Sequence, residues 1–253
     1  METVAAAVGR DRELNFDFAT FWAALTSFAY LQGAVITIGL AIVAHAVAIL
    51  ISLPMAVVLN GRPSILRSAV SAYVGFFRAV PTLLQLLFVW NALPQFFPVF
   101  REEWFTPFLA AWIALSLNES AYQVEINRAA LGAIDPGQTA AGEALGLTRL
   151  HIYRYVVLPQ AVRVAIPPSV NEFITLLKVT SLASVISLQE LMTITQVAVS
   201  RTFQFTELYS AALIYYLVMV YGLMAIQHKV ENRFSWANRS TAVMRVEADP
   251  LRH

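Results

Sequence analysis

Four ionisable side chains, Glu119, Glu125, Glu172 and Lys178, stand inside long apolar stretches of this 253-residue chain. A charge in hydrocarbon is costly, so such residues face a cavity, a partner or one another. Asn171, Thr175 and Lys178 recur at i, i+4 and i+7 and share one face of a helix, with Glu172 on its edge. That face, with Glu119 and Gln123 opposite, is read as the wall of a polar pathway. Its carboxylates suit an ammonium group or a basic side chain, and Lys178, Thr180 and Ser181 suit a carboxylate. Two structural readings stand beside this one: Glu125 pairs with Arg128, and Lys178 pairs with a carboxylate of the neighbouring span. Arg78, just before Pro81, is expected toward the cytoplasmic end of its span, as a gate or a snorkelling cation. His45 is alone in an apolar stretch, which favours a hydrogen-bonded packing role over metal binding. Trp90, Trp104, Trp112 and Trp236 read as interface anchors or packing. His151, His228 and His253 are scattered, and no histidine has the spacing of a triad or a metal site.

The elements that position these residues follow from composition. Hydrophobic residues make up 58% of the chain and charged residues 13%, against about 25% charged in an average soluble domain. Lipid is the solvent. The net charge of +1 gives no global field for nucleic acid, and the absence of cysteine excludes disulfides, thiol catalysis and cysteine-ligated metals. A helix needs roughly 20 apolar residues to cross a bilayer. Stretches at 31–59, 71–93, 105–134, 159–199 and 207–227 qualify, so the fold expected is an all-α polytopic membrane protein of about five spans. Prolines at 159, 167 and 168 are expected to make the start of the fourth irregular. The first 30 residues carry Phe16, Phe18, Phe21, Trp22, Phe28 and Tyr30 and read as an interfacial segment. Met1 to Phe18 mixes charges with no apolar core and does not read as a cleaved signal peptide.

Orientation follows from the basic loops. Arg62 and Arg67, then Arg149, Arg154 and Arg163, then Lys229, Arg233, Arg239, Arg245 and Arg252 follow the first, third and last spans. Arg101 and Arg201, after the second and fourth, are offset by Glu102, Glu103 and Glu207. This alternation puts the N-terminus outside and the C-terminus, with a tail over 232–253, in the cytoplasm.

Residues 135–159 read DPGQTAAGEALGLTRLHIYRYVVLP and cannot sit in hydrocarbon. Asp135-Pro136-Gly137 signals a turn, Gln138 to Leu145 a short helix, Gly146 its stop, and Arg149 to Val157 a second helical piece. The product is a cytoplasmic knob suited to docking. This loop resembles the coupling loop of bacterial ABC importer permeases, whose pattern is Glu-Ala-Ala, three residues, Gly, nine residues, Ile, one residue, Leu-Pro. Ala140, Ala141 and Gly142 stand at the first three places, Gly146 at the glycine, Val156 at the isoleucine, and Leu158 and Pro159 at the end. Ala140 replaces the family glutamate, with Glu143 a helical turn away. Phe77 to Leu86, Ser120 to Arg128, and segments from Pro159 to Leu182 are similar to the polar amino acid subfamily, with Val179 where aspartate is usual. The similarity covers 31–231 in order.

The resemblance implies a multi-pass permease of the bacterial inner membrane that pairs with itself or a sister permease. Two cytoplasmic ATP-binding subunits would dock on the coupling loops, at Gln138, Ala140, Ala141, Gly142, Glu143, Gly146, Leu158 and Pro159. An extracytoplasmic binding protein would deliver a polar amino acid, cationic or zwitterionic. No Gly-x4-Gly-Lys-Ser/Thr loop is present, so this chain is expected to carry no cofactor and no hydrolytic activity, ATP and Mg being used by the partner. An ion-coupled secondary transporter is the alternative, though inverted repeats are missing. A membrane enzyme would need a catalytic cluster that is absent.

Overall fold

The computed structural model describes residues 16–247, with side chains to residue 229, and contains no strand among them. The signal-peptide reading of Met1 to Phe18 and the tail residues from Lys229 on lie largely outside those limits. The interfacial lead-in forms α1 (Phe18–Leu25), capped by Asp17, whose carboxylate accepts the amides of Ala19 and Thr20. It is a separate helix because Thr26 and Ser27 turn the chain and Ser27 caps α2 (Phe28–Asn60). Phe18, Trp22 and Phe28 remain exposed, as an interfacial segment requires.

In α2 the fully buried residues Leu40, Ala44, Ala48, Ser52 and Ala56 recur every four positions. The stripe lets α2 lie close against α5 (Pro107–Gly132), whose Ala110, Ala111, Ala114 and Ala121 are equally buried. In lipid, helices associate through such close backbone approach because apolar side chains gain nothing by leaving hydrocarbon. Val35, Ile42, Leu50 and Val57 cover the outer face of α2.

The second expected span is not one helix. α3 (Ile65–Ala79) and α4 (Thr82–Phe96) meet at an elbow of 102°. Pro81 supplies no amide, and extended Val80 ends α3. The carbonyls freed by the break are satisfied by side chains: Gln85 Nε2 donates to Phe77 and Val80 oxygens at 2.9 and 2.8 Å, and Asn118 Nδ2 donates to Phe77 at 3.0 Å. Broken backbone at membrane depth survives only with such partners.

Of the helices, Phe28–Asn60, Arg149–Ile186 and Phe205–Lys229 are long and apolar enough to cross a membrane, and the bent pair counts as a fourth. The expected third span, at 105–134, corresponds to α5, which does not qualify on apolarity. Asn118, Glu119, Ser120, Gln123 and Asn127 lower its hydropathy, yet all five are buried. A helix sheathed by protein does not need a lipid-compatible surface.

The loop contains α6 (Pro136–Ala144), closed by Gly146 at φ 74°. The amides of Gly146 and Leu147 return to the carbonyls of Glu143 and Gly142, the paired bonds of a glycine-terminated helix. α7 (Arg149–Ile186) then runs on without the expected irregularity at Pro167 and Pro168. Its concession to Pro159 is a π turn at Tyr153–Val157, where an extra residue absorbs the missing amide. The fourth span was expected to extend to residue 199. Instead α7 ends in a 3-10 turn, left-handed Ser187 reverses the chain, and α8 (Leu191–Thr202) is a separate helix. α9 (Phe205–Glu247) closes the fold.

Gly33 of α2 is the point where α8 touches. A Cβ there would stand 2.8 Å from Ile194 Cδ1 and 2.9 Å from Leu191 Cα. Backbone cannot yield as a side chain end can, so Gly33→Ala is expected to cost about 1–3 kcal/mol by overpacking. Thermal unfolding of the purified protein checks this. Gly39→Ala, where nothing lies within 4 Å, is the matched control and leaves the midpoint unlowered.

Candidate functional site

Polar side chains meet where α2, α5 and α7 pack. His45 Nδ1 lies 2.9 Å from Glu119 Oε1, and Gln123 Nε2 donates to the same oxygen at 3.0 Å. Ser169 on α7 donates to Gln123 Oε1 at 2.8 Å. Asn127 donates to Ser52 at 2.9 Å farther along the same seam. Glu119 and Gln123 are 2% and 0% exposed, so the chain of bonds is interior, and low dielectric strengthens each link. The His45 ring also lies against Phe173, with centroids 5.1 Å apart.

Half-buried Glu172 lies within electrostatic reach of Glu119, His45 and Arg78. It makes no hydrogen bond and no ion pair among the described residues. Arg78 occupies the last turn of α3, at the elbow, with its guanidinium 5.6 Å from the centre of the Tyr122 ring.

The structure thus brings together Glu119, Gln123 and Glu172. It separates them from the rest of the expected wall. Asn171 and Lys178 are exposed on the single chain, and Thr175 returns its hydroxyl to the Asn171 carbonyl. Lys178 forms no ion pair with α5 among the described residues. It lines an apolar groove of about 350 Å³ with Ser181, Met192 and Tyr216. Thr180 is fully buried and, like Ser181, donates to a carbonyl of its own helix. Glu125 pairs with Arg128 at 2.7 Å, as the structural reading has it.

Sequence reasoning missed a second buried carboxylate. Glu190 is 0% exposed and caps α8, accepting from the amides of Met192 and Thr193 at 2.9 and 2.7 Å. The hydroxyls of Thr193, Thr37 and Tyr216 approach at 3.2, 3.5 and 3.4 Å. The one local signal was an acidic residue directly ahead of the periodic run of α8, a usual capping position.

On the knob, Gln138, Ala140, Ala141, Glu143 and Gly146 are exposed and Gly142 is buried. Gln160 Nε2 bridges Gln138 Oε1 at 3.3 Å and the Val156 carbonyl at 2.9 Å, tying α6 to α7. Leu158 and Pro159 lie within the continuous helix rather than at the end of a loop. Leu145, Leu150 and Tyr155 project their apolar surface outward.

A helical bundle with a broken span, a buried polar seam and an exposed helical knob suits a membrane transport component. Residues 48–236 match the family described as binding-protein-dependent transport system inner membrane component, and the chain belongs to that family. It is 38% identical over 205 residues to the probable amino-acid permease protein YxeN of Bacillus subtilis, covering 81% of this chain and 91% of that one. To the glutamine transport system permease protein GlnP of Escherichia coli K12 it is 32% identical over 220 residues, covering 87% and 98%. A crystal structure of an amino acid ABC transporter with histidines superposes with a TM-score of 0.76 at 31% identity, covering 87% of this chain and 99% of the other. The chain is a multi-pass inner-membrane permease of the amino-acid ABC importer type.

Proposed function

We propose that this permease forms half of the pathway of an ATP-driven importer for a polar amino acid, and that Glu172 with Glu119 receives a basic side chain of the substrate. The observation that carries the reading is Glu172 itself, a half-buried carboxylate in a spanning helix, within electrostatic reach of a second carboxylate and making no hydrogen bond or ion pair among the described residues. Such a group is expensive unless a water-filled path or a cation reaches it, and the nearby Arg78, placed over Tyr122, forms no ion pair with it among the described residues. The exposed polar face of Asn171 and Lys178 supports pairing with a second permease, identical or sister, since lipid is a poor neighbour for it. Two ATP-binding subunits, using ATP and Mg, would dock on the α6 knob, and an extracytoplasmic binding protein would supply the substrate. Alternation of the basic loops supports five spans, an outer N-terminus and a cytoplasmic C-terminus, with the transport domain over 31–231. Nothing among the relatives favours an ion-coupled carrier.

The test is uptake of labelled cationic, neutral and acidic amino acids by cells containing this chain with its ATPase and binding protein. Glu172→Gln is expected to lower uptake of cationic substrates about tenfold, the worth of one charge-assisted contact, while sparing neutral ones. Unchanged ATP-dependent uptake would remove Glu172 from the pathway, and uptake indifferent to ATP would remove the importer.

A further inference from the structure

The buried seam contains one residue that the pathway reading leaves without a role. His45 comes from α2, a helix that contributes otherwise small residues to the seam. Its Nδ1 and the Gln123 amide converge on a single oxygen of Glu119, at 2.9 and 3.0 Å. The other oxygen, Oε2, holds no hydrogen bond among the described residues, and Glu172, next in sequence to the Phe173 that packs on His45, is within electrostatic reach of Glu119. A carboxylate rotates freely about its last bond unless something fixes it. Here the fixing is asymmetric: both donors occupy one oxygen and leave the second for a ligand.

We infer that His45 is a positioning residue for substrate, aiming Glu119 Oε2 so that it and Glu172 form one two-carboxylate subsite for a cationic group. The inference rests on the pathway reading above. The bond chain has a consistent direction. Ser169 donates to Gln123 Oε1 and Gln123 Nε2 donates to Glu119, and the direction continues if His45 donates through Nδ1–H across its 2.9 Å contact. A neutral imidazole has a single N–H, and which nitrogen carries it is set by the partner. Glu119 Oε1 already accepts from the Gln123 amide, and a second donor on that oxygen calls for the Nδ1–H tautomer. The ring is held in that orientation by Phe173, with centroids at 5.1 Å. Arg78 is the further cation near Glu172, and it is engaged over Tyr122.

The atoms of the imidazole provide the test. Asparagine at 45 places its amide nitrogen where Nδ1 stands, whereas glutamine places it where Nε2 stands, beyond reach of the same oxygen. Both replacements are polar and of similar bulk, so a packing role would affect them alike. Equilibrium binding of labelled arginine is measured on the purified permease–ATPase complex without binding protein, alongside labelled glutamine as the neutral probe. His45→Asn is expected to keep the arginine Kd within about twofold, and His45→Gln to weaken it about tenfold, the loss of one charge-assisted hydrogen bond. Glutamine binding changes little in either. Equal arginine affinities for the two variants, whether both normal or both weakened, would overturn the inference. Glu172→Gln separates the two levels: if it weakens arginine binding while His45→Gln does not, the role of His45 fails and the pathway reading stands. If Glu172→Gln leaves binding untouched as well, both fail.

Discussion

Replacing Glu190 with alanine is expected to destabilise the protein by about 3–5 kcal/mol, the largest single effect in the molecule. The loss of a helix cap is worth about 1 kcal/mol. Each buried donor left without an acceptor adds about 1–3 kcal/mol. Four donors bond this carboxylate, the amides of Met192 and Thr193 and the hydroxyls of Thr193 and Tyr216, and the Thr37 hydroxyl, 3.0 Å from the Gly33 carbonyl, approaches it at 3.5 Å. They belong to α2, α8 and α9, so the group is a three-way joint. Glu190→Gln keeps the volume and one acceptor oxygen but presents an amide to groups that are themselves donors, and it is expected to lose about half as much. For a chain of this size the alanine variant corresponds to a fall of about 10 °C in midpoint, read by thermal unfolding in detergent. A midpoint within 1–2 °C of wild type, roughly half a kcal/mol, would mean that the joint holds without its acid.

The second large effect is functional and lies at Gly142. A Cβ at this position would stand 2.8 Å from Ile152 Cγ1 and 3.1 Å from Cδ1. Ile152 is 2% exposed and β-branched, so it has little rotamer freedom to yield. Gly142→Ala is therefore expected to push α6 off the start of α7. The cost is about 1–3 kcal/mol, stored in the knob rather than in the bundle. If the knob transmits ATP hydrolysis to the pathway, displacement there lowers uptake about tenfold or more with normal amounts of protein in the membrane. Ile152→Ala removes all the clashing atoms, so the double variant Gly142→Ala/Ile152→Ala transports better than Gly142→Ala alone, a coupling that a double-mutant cycle reads directly. Additive losses in the cycle would show that the two residues do not act through this contact.

How much of this was legible in the sequence depended on the range of the interaction. The knob was legible because its signals are local: Asp135, Gly146 at φ 74°, and the span between them sufficed for helix, stop and restart. The first span was legible because Phe28–Asn60 carries no charged residue. The elbow was signalled by Pro81 but read through, since a mean over a window averages a kink into apolarity. Glu119 and Gln123 were found from their cost in lipid, yet the partner of Glu119 lies 74 positions away. His45 therefore looked solitary. Lys178 was placed on the pathway face by helical spacing, but spacing assigns residues to one face of a helix without saying what that face meets. Glu190 escaped because its burial is created by Thr37 and Tyr216, residues of other helices.

The elbow at Pro81 also bears on how the chain is made. α3, with its 15 residues, is about 22 Å long, too short to cross a hydrocarbon layer of about 30 Å by itself. Its freed Phe77 carbonyl is capped by Asn118, which lies 41 residues downstream. At about 5–20 residues per second of synthesis, several seconds separate the arrival of the two. During that interval Gln85 is the bend's available side-chain partner. The elbow's full set of side-chain bonds is thus completed only after α5 has been made.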